Sequence, residues 1–218
     1  MQATRRPKRS SELSELQFPK TEYDAAPISL YWYARGALGM PLLQFLAYYQ
    51  VIEFYFVSYS QEDAKRKIQS ILKDPTFRLD RDADIGRLLS TFSARGQGFG
   101  DERSQLRACI NACVDSAELR KYLTETDDRS EFFSSKQKGL TGHKLPIANK
   151  DADLRNDVAD LVYDIRCKIV HTKGDAREGQ VDLLLPFSKE ADLLFHDIEL
   201  LQYLARQVLI SASSPIRM

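Results

Sequence analysis

The sequence predicts an all-α fold, a bundle of five to seven helices, on three observations. Apolar residues recur at steps of three and four in successive segments, no stretch alternates apolar and polar residues over a useful length, and Pro, Gly, Asp or Ser stands where segments start and stop. The 218 residues, 43% of them hydrophobic, suffice for one sizeable core, and no Pro/Gly/Ser-rich linker divides them. No internal repeat is visible.

Residues 1–27 are expected to form a basic, disordered tail. Within the first twenty residues Arg5, Arg6, Lys8, Arg9 and Lys20 outnumber Glu12 and Glu15, and periodicity is weak. The tail is either a solubilising segment or an arm that touches phosphate. The helical domain is expected over 28–218. Leu30-Tyr31-Trp32-Tyr33 leads to a helix starting at Met40-Pro41, since proline suits a first helical turn. Leu38, Leu42, Phe45, Leu46, Tyr49, Ile52 and Phe56 share one arc of it, and Tyr48, Val51, Phe54, Tyr55 and Val57 make most of the remaining surface apolar, as in a helix at the centre of a bundle or at a dimer interface. Glu53 falls inside that arc. Buried there, its carboxylate needs a cation or strong donor beside it; otherwise it must reach solvent at the helix edge.

Further helices are expected over 61–73, ended by Asp74-Pro75, over 82–94, and from an Asp101 cap to about Thr126. The glycine run Arg95–Gly100 joins helix to helix rather than strand to helix and lacks Gly-Lys-Ser/Thr, so it is expected to be a hinge and not a nucleotide loop. Asp127–Lys150 is a looser segment containing His143-Lys144, which could assist a phosphate. A helix from about Asp151 carries Leu154, Val158, Leu161, Ile165 and Ile169 as a narrow core-facing seam. Val181–Pro186 is extended in character, and Ser188 caps a final helix to about Ile210, with His196 at the edge of its apolar side.

Charge and cysteine content narrow the function. Lys plus Arg and Asp plus Glu are equal at 31 each, so the chain lacks the basic excess of a nucleic-acid coat protein, and any such contact must be local. Three cysteines, with Cys109 and Cys113 one turn apart, make neither a disulfide framework nor a metal set, which fits a cytoplasmic protein without metal or other cofactor. The start has no apolar signal region. Leu42–Val57 is short for a membrane span and broken by Gln44, Gln50 and Glu53. No compact helix-turn-helix with a basic recognition helix argues for a DNA-binding regulator.

The chemistry-bearing stretch is Asp164–Gly174, which places Arg166 and His171 five positions apart near the end of a helical pattern. Five residues turn an α-helix by about 140°, so the two side chains converge only if the helix ends or loosens near Val170, as Gly174 permits. Arg166-x-x-x-x-His171 in a helical chain resembles the Arg-x(4 to 6)-His signature of the HEPN superfamily. The aromatic helix Phe45–Phe56 with its embedded Glu53 is similar to the early core helix of HEPN domains from bacterial defence and toxin systems. The resemblance covers about Ile28 to Ile210. It implies a metal-independent endoribonuclease that acts as a two-fold homodimer, an RNA substrate, and a place as effector in antiviral defence or a toxin-antitoxin system under a regulatory or antitoxin partner. The ribose 2′-hydroxyl attacks the adjacent phosphate, His171 moves the proton, Arg166 stabilises charge on the phosphoryl oxygens, and Lys173 adds a phosphate contact. Glu53 is expected to hold Arg166 in place by a charge-assisted hydrogen bond. Active members generally carry Asn, Asp or His directly after the arginine, whereas this chain has Cys167, a poor donor. That residue favours the alternative, a non-catalytic HEPN-like dimer serving as adaptor or regulator.

Overall fold

The computed structural model describes residues 20–93, 101–135, 140–141, 143–170, 184–186 and 188–216. His171, Lys173, the hinge glycines and the tail up to residue 19 lie outside them. The described residues are mostly helical, with one small antiparallel clip in which β1 (Thr21–Glu22) pairs with β2 (Ser214–Pro215). The clip and α1 (Ala25–Gly36) extend ordered structure into residues 20–27, which were expected to belong to the tail. Tyr55 explains part of this: its hydroxyl donates to Asp24 Oδ2 at 2.8 Å and fixes the entry to α1.

Gly39, at φ 82°, makes the left-handed turn that folds α1 back on α2 (Pro41–Glu53). Proline occupies the first turn of α2 as the sequence requires, and Phe45, Ala47, Tyr48, Tyr49, Val51 and Ile52 are buried around the helix. After a two-residue break comes α3 (Phe56–Leu72), followed by α4 (Asp82–Ser93). The expected helix from Asp101 to Thr126 is two helices. α5 (Glu102–Cys113) ends at Val114, whose backbone is extended, and α6 (Ser116–Thr124) restarts under Asp115, whose carboxylate accepts from the amides of Ala117 and Glu118 at 2.9 Å. Thr126 caps α7 (Asp127–Ser134) in a region expected to be loose. α8 (Arg155–Val170) buries the predicted seam of Leu161 and Ile165 together with Val158 and Val162. Ser188 caps only a short α9 (Lys189–Asp192), and the long terminal helix is α10 (Phe195–Ala212). The breaks at 114–115 and 193–194, with α1 and α7 where no helix was expected, raise the count to ten helices among the described residues, above the five to seven expected.

Helices α2, α5, α8 and α10 make the centre. Tyr49 and Ile52, Leu106 and Ile110, Val158 and Ile165, and Leu201 and Leu204 belong to one core, with α1 laid on α2 and α3 on α5. Residues 143–152 also belong to it. Leu140, Leu145 and Ile147 are buried, the Leu145 amide donates to Phe133 O at 2.9 Å, and Arg120 of α6 donates to the carbonyls of Ile147, Asn149 and Ala152. The segment that could have been a mobile loop is thus pinned just before α8. His196 is likewise more enclosed than its edge position suggests, with Nε2 3.2 Å from Asp128 Oδ2 and its ring 4.6 Å from that of Phe132. Among the described residues no helix is long and apolar enough to cross a membrane.

Candidate functional site

The candidate site lies where the start of α5 meets the last part of α8. Asp101 caps α5 by accepting from the Ser104 amide at 2.8 Å, which puts Glu102 in the first turn, where the helix dipole favours an anion. Glu102 Oε1 lies 3.0 Å from Arg166 Nε and also accepts from the Tyr49 hydroxyl at 2.8 Å. The Arg166 guanidinium carbon is 5.7 Å from the centre of the Tyr49 ring. One carboxylate oxygen therefore orients both a guanidinium from α8 and a phenol from the core helix. Burial, with the Glu102 hydrogen bond added, pushes the Tyr49 phenol far above its ordinary range, so it acts as a fixed neutral donor.

Glu53, expected to hold Arg166, lies within electrostatic reach of that guanidinium. It is the last residue of α2 and is exposed, because the helix stops there and the chain turns toward α3. Partial desolvation and then the Glu102 carboxylate raise its pKa, and Arg166 opposes them, so Glu53 feels the guanidinium without being the acid that clamps its Nε. The clamp is Glu102, which the sequence offered only as a neighbour of a capping aspartate.

Below this clamp the two helices are laced by polar pairs in antiparallel register. Arg103 pairs with Asp164, with a second contact from Nη1 to Asp160 Oδ1 at 3.3 Å; Arg107 Nε donates to Asp160 Oδ1 at 2.9 Å; and Asn111 Nδ2 donates to Asn156 Oδ1 at 3.0 Å. Residues 103, 107 and 111 step by four along α5, and 164, 160 and 156 step back by four along α8, so one polar stripe meets another with opposite charges facing. Burial pushes the Asp160 carboxyl up, but the hydrogen bonds and charges of Arg107 and Arg103 outweigh it and hold the group below the usual carboxylate range. The ladder ends at Arg155, whose Nη1 donates to Asn111 O at 3.1 Å and so satisfies a carbonyl at the end of α5.

No family model matches the chain, and neither the curated proteins nor the solved structures yield a match. What the site can do must be argued from its own groups.

Cys167 follows Arg166 and hydrogen-bonds with Tyr163, one turn earlier on α8; that bond, with partial burial, raises the Tyr163 phenol. The Arg103 guanidinium carbon stands 4.5 Å over the same ring. His143, from the pinned segment, contacts Asp164 through Nε2, on the carboxylate oxygen that Arg103 leaves open. The sequence placed this histidine in a looser segment where it could assist a phosphate, and carried no sign of the buried Leu140 and Leu145 on either side of it. Among the described residues there is no cluster of three or more His, Cys, Asp or Glu side chains able to hold a metal ion.

Proposed function

We propose that this chain is a metal-independent endoribonuclease of the HEPN type, working as a two-fold homodimer in the cytoplasm. In this reading Arg166 binds and neutralises the phosphoryl oxygens, His171 moves the proton of the attacking 2′-hydroxyl, and Lys173 adds a phosphate contact. The protein serves as effector of a defence or toxin-antitoxin system and is held in check by a partner protein. The observation that carries the reading is the mounting of Arg166. Five residues before His171, it stands on the penultimate long helix with its Nε on Glu102 and its plane beside Tyr49, which fixes the direction of a guanidinium that must meet a phosphate. Glu53 contributes charge beside that guanidinium rather than the hydrogen bond to its Nε.

A second reading is favoured by the ladder. Arg103 and Arg107 are committed to Asp160 and Asp164, and Cys167 to Tyr163, an arrangement that also suits a non-catalytic dimeric adaptor. The two readings separate when total RNA is incubated with the wild-type chain, Arg166→Ala and His171→Ala in the presence of EDTA. The ribonuclease reading expects cleavage by the wild type and losses of about 100-fold or more in each variant. An inactive wild type would favour the adaptor, and equal cleavage by all three would place the activity elsewhere.

A further inference from the structure

Cleavage of RNA by its own 2′-hydroxyl needs two proton movements, one away from the attacking oxygen and one onto the departing 5′-oxygen. The Arg166–His171 stretch supplies one imidazole, and the chain has three histidines in all. His196 is enclosed, with a side chain 14% exposed between Asp128 and Glu199, and has no access to a polymer. His143 differs in each respect. Its side chain is 34% exposed, its Nε2 is held by Asp164, and among the described residues nothing hydrogen-bonds to its Nδ1. A carboxylate on one ring nitrogen fixes the orientation of the imidazole and leaves the other nitrogen as the one that exchanges protons.

Resting on the ribonuclease reading above, we propose that His143 is the proton donor to the leaving group. The 2′-oxygen forms its bond to phosphorus, the bond from phosphorus to the 5′-oxygen breaks, and the proton on His143 Nδ1 passes to that 5′-oxygen; the ring is then reprotonated from water. The groups that face His143 suit this work. Asp164 of α8 carries the negative charge that accompanies a protonated ring, and Arg103 of α5, itself spanning Asp164 and Asp160, holds that carboxylate in position while its guanidinium rests on Tyr163. Lys144, next in the chain, adds a positive charge on the solvent side. Asp164 lies two residues before Arg166 on α8, and Arg103 directly follows Glu102 on α5, so the groups that hold His143 and those that hold the phosphate-binding guanidinium stand on the same two helical segments.

The test compares a diribonucleoside monophosphate with uridine 3′-(4-nitrophenyl phosphate), whose leaving group departs without protonation. Wild type, His143→Ala, His143→Gln and Arg166→Ala are assayed on both, with thermal unfolding as the check on folding. His143→Gln keeps a donor for Asp164 and so guards against a merely dislodged segment. Both His143 variants are expected to slow the dinucleotide by about 100-fold to 10,000-fold and the nitrophenyl ester by less than about 10-fold. Arg166→Ala should slow both substrates. Loss on both substrates, or on neither, in the His143 variants would overturn the assignment while leaving the ribonuclease reading in place. A wild type inactive on both substrates would overturn the two together.

Discussion

Asp197→Leu is expected to stabilise the protein by roughly 2 to 5 kcal/mol near pH 8 and to flatten the dependence of stability on pH between about 4 and 8. Asp197 sits in the first turn of α10, is 1% exposed, and among the described residues neither carboxylate oxygen has a hydrogen-bond partner. Burial alone raises its pKa to about 8. The unfolded chain ionises an aspartate near pH ~4, so between that value and about 8 the unfolded state releases a proton that the native state keeps. Stability attributable to this residue is therefore complete below about pH 4 and falls by about 1.4 kcal/mol per pH unit until the folded group itself ionises. The full loss is roughly 5 kcal/mol, and local relaxation reduces it. Leucine removes the titration and fills the same part of the core. Urea unfolding of both proteins at about pH 5 and about pH 8.5 checks this: the gain from the substitution should be several-fold larger at the higher pH, and an equal gain at both would mean that Asp197 does not titrate as described.

The second large effect is expected at the centre of the α5–α8 ladder. Asp160 is 18% exposed and receives both Arg107 and Arg103, so Asp160→Ala leaves two guanidinium groups without their shared partner. A loss of roughly 2 to 3 kcal/mol is expected, below the cost of breaking a fully buried pair because both arginines retain access to water. Asp160→Asn keeps hydrogen-bond acceptance and should lose less. The sign with pH is opposite to that of Asp197. A carboxyl held below its ordinary pKa stabilises the native state above about pH 4, and that contribution disappears as pH falls through the folded value. Acid unfolding followed by circular dichroism should show the wild type losing stability more steeply than Asp160→Asn below about pH 4; parallel curves would mean that the ladder carries little net charge stabilisation.

Much of the bundle was legible because burial writes itself into spacing. The seam of Leu154, Val158, Leu161, Ile165 and Ile169 follows from periodicity alone, and the first four are buried while Ile169 is partly so; of the apolar surface around α2, Tyr48 and Val51 are buried but Phe54 and Val57, past its end, are exposed. The helix breaks were harder, since a residue such as Val114 carries no breaking chemistry of its own and the restart depends on the Asp115 side chain turning back onto two amides. Glu53 was left with two outcomes, beside a cation or at the helix edge, and it stands exposed at the end of α2 with Arg166 still within electrostatic reach. Glu102 was out of reach because its partner is 64 positions away, although the matched stripes at 103, 107, 111 and 156, 160, 164 were present in the sequence for a pairing argument to find. Asp197 carried no signal in the sequence beyond its place beside His196, and only the packing of α10 shows that it is buried.

The most direct test of the account is the nature of the cut. An oligodeoxyribonucleotide containing a single ribonucleotide, incubated with the wild-type chain and with Arg166→Ala in EDTA, separates attack by a 2′-hydroxyl from every other route to strand scission. The account predicts one cut, directly 3′ of the ribose, leaving a 2′,3′-cyclic phosphate and lost in Arg166→Ala. An uncut strand, cuts at deoxyribose positions, or cleavage undiminished in Arg166→Ala would contradict it.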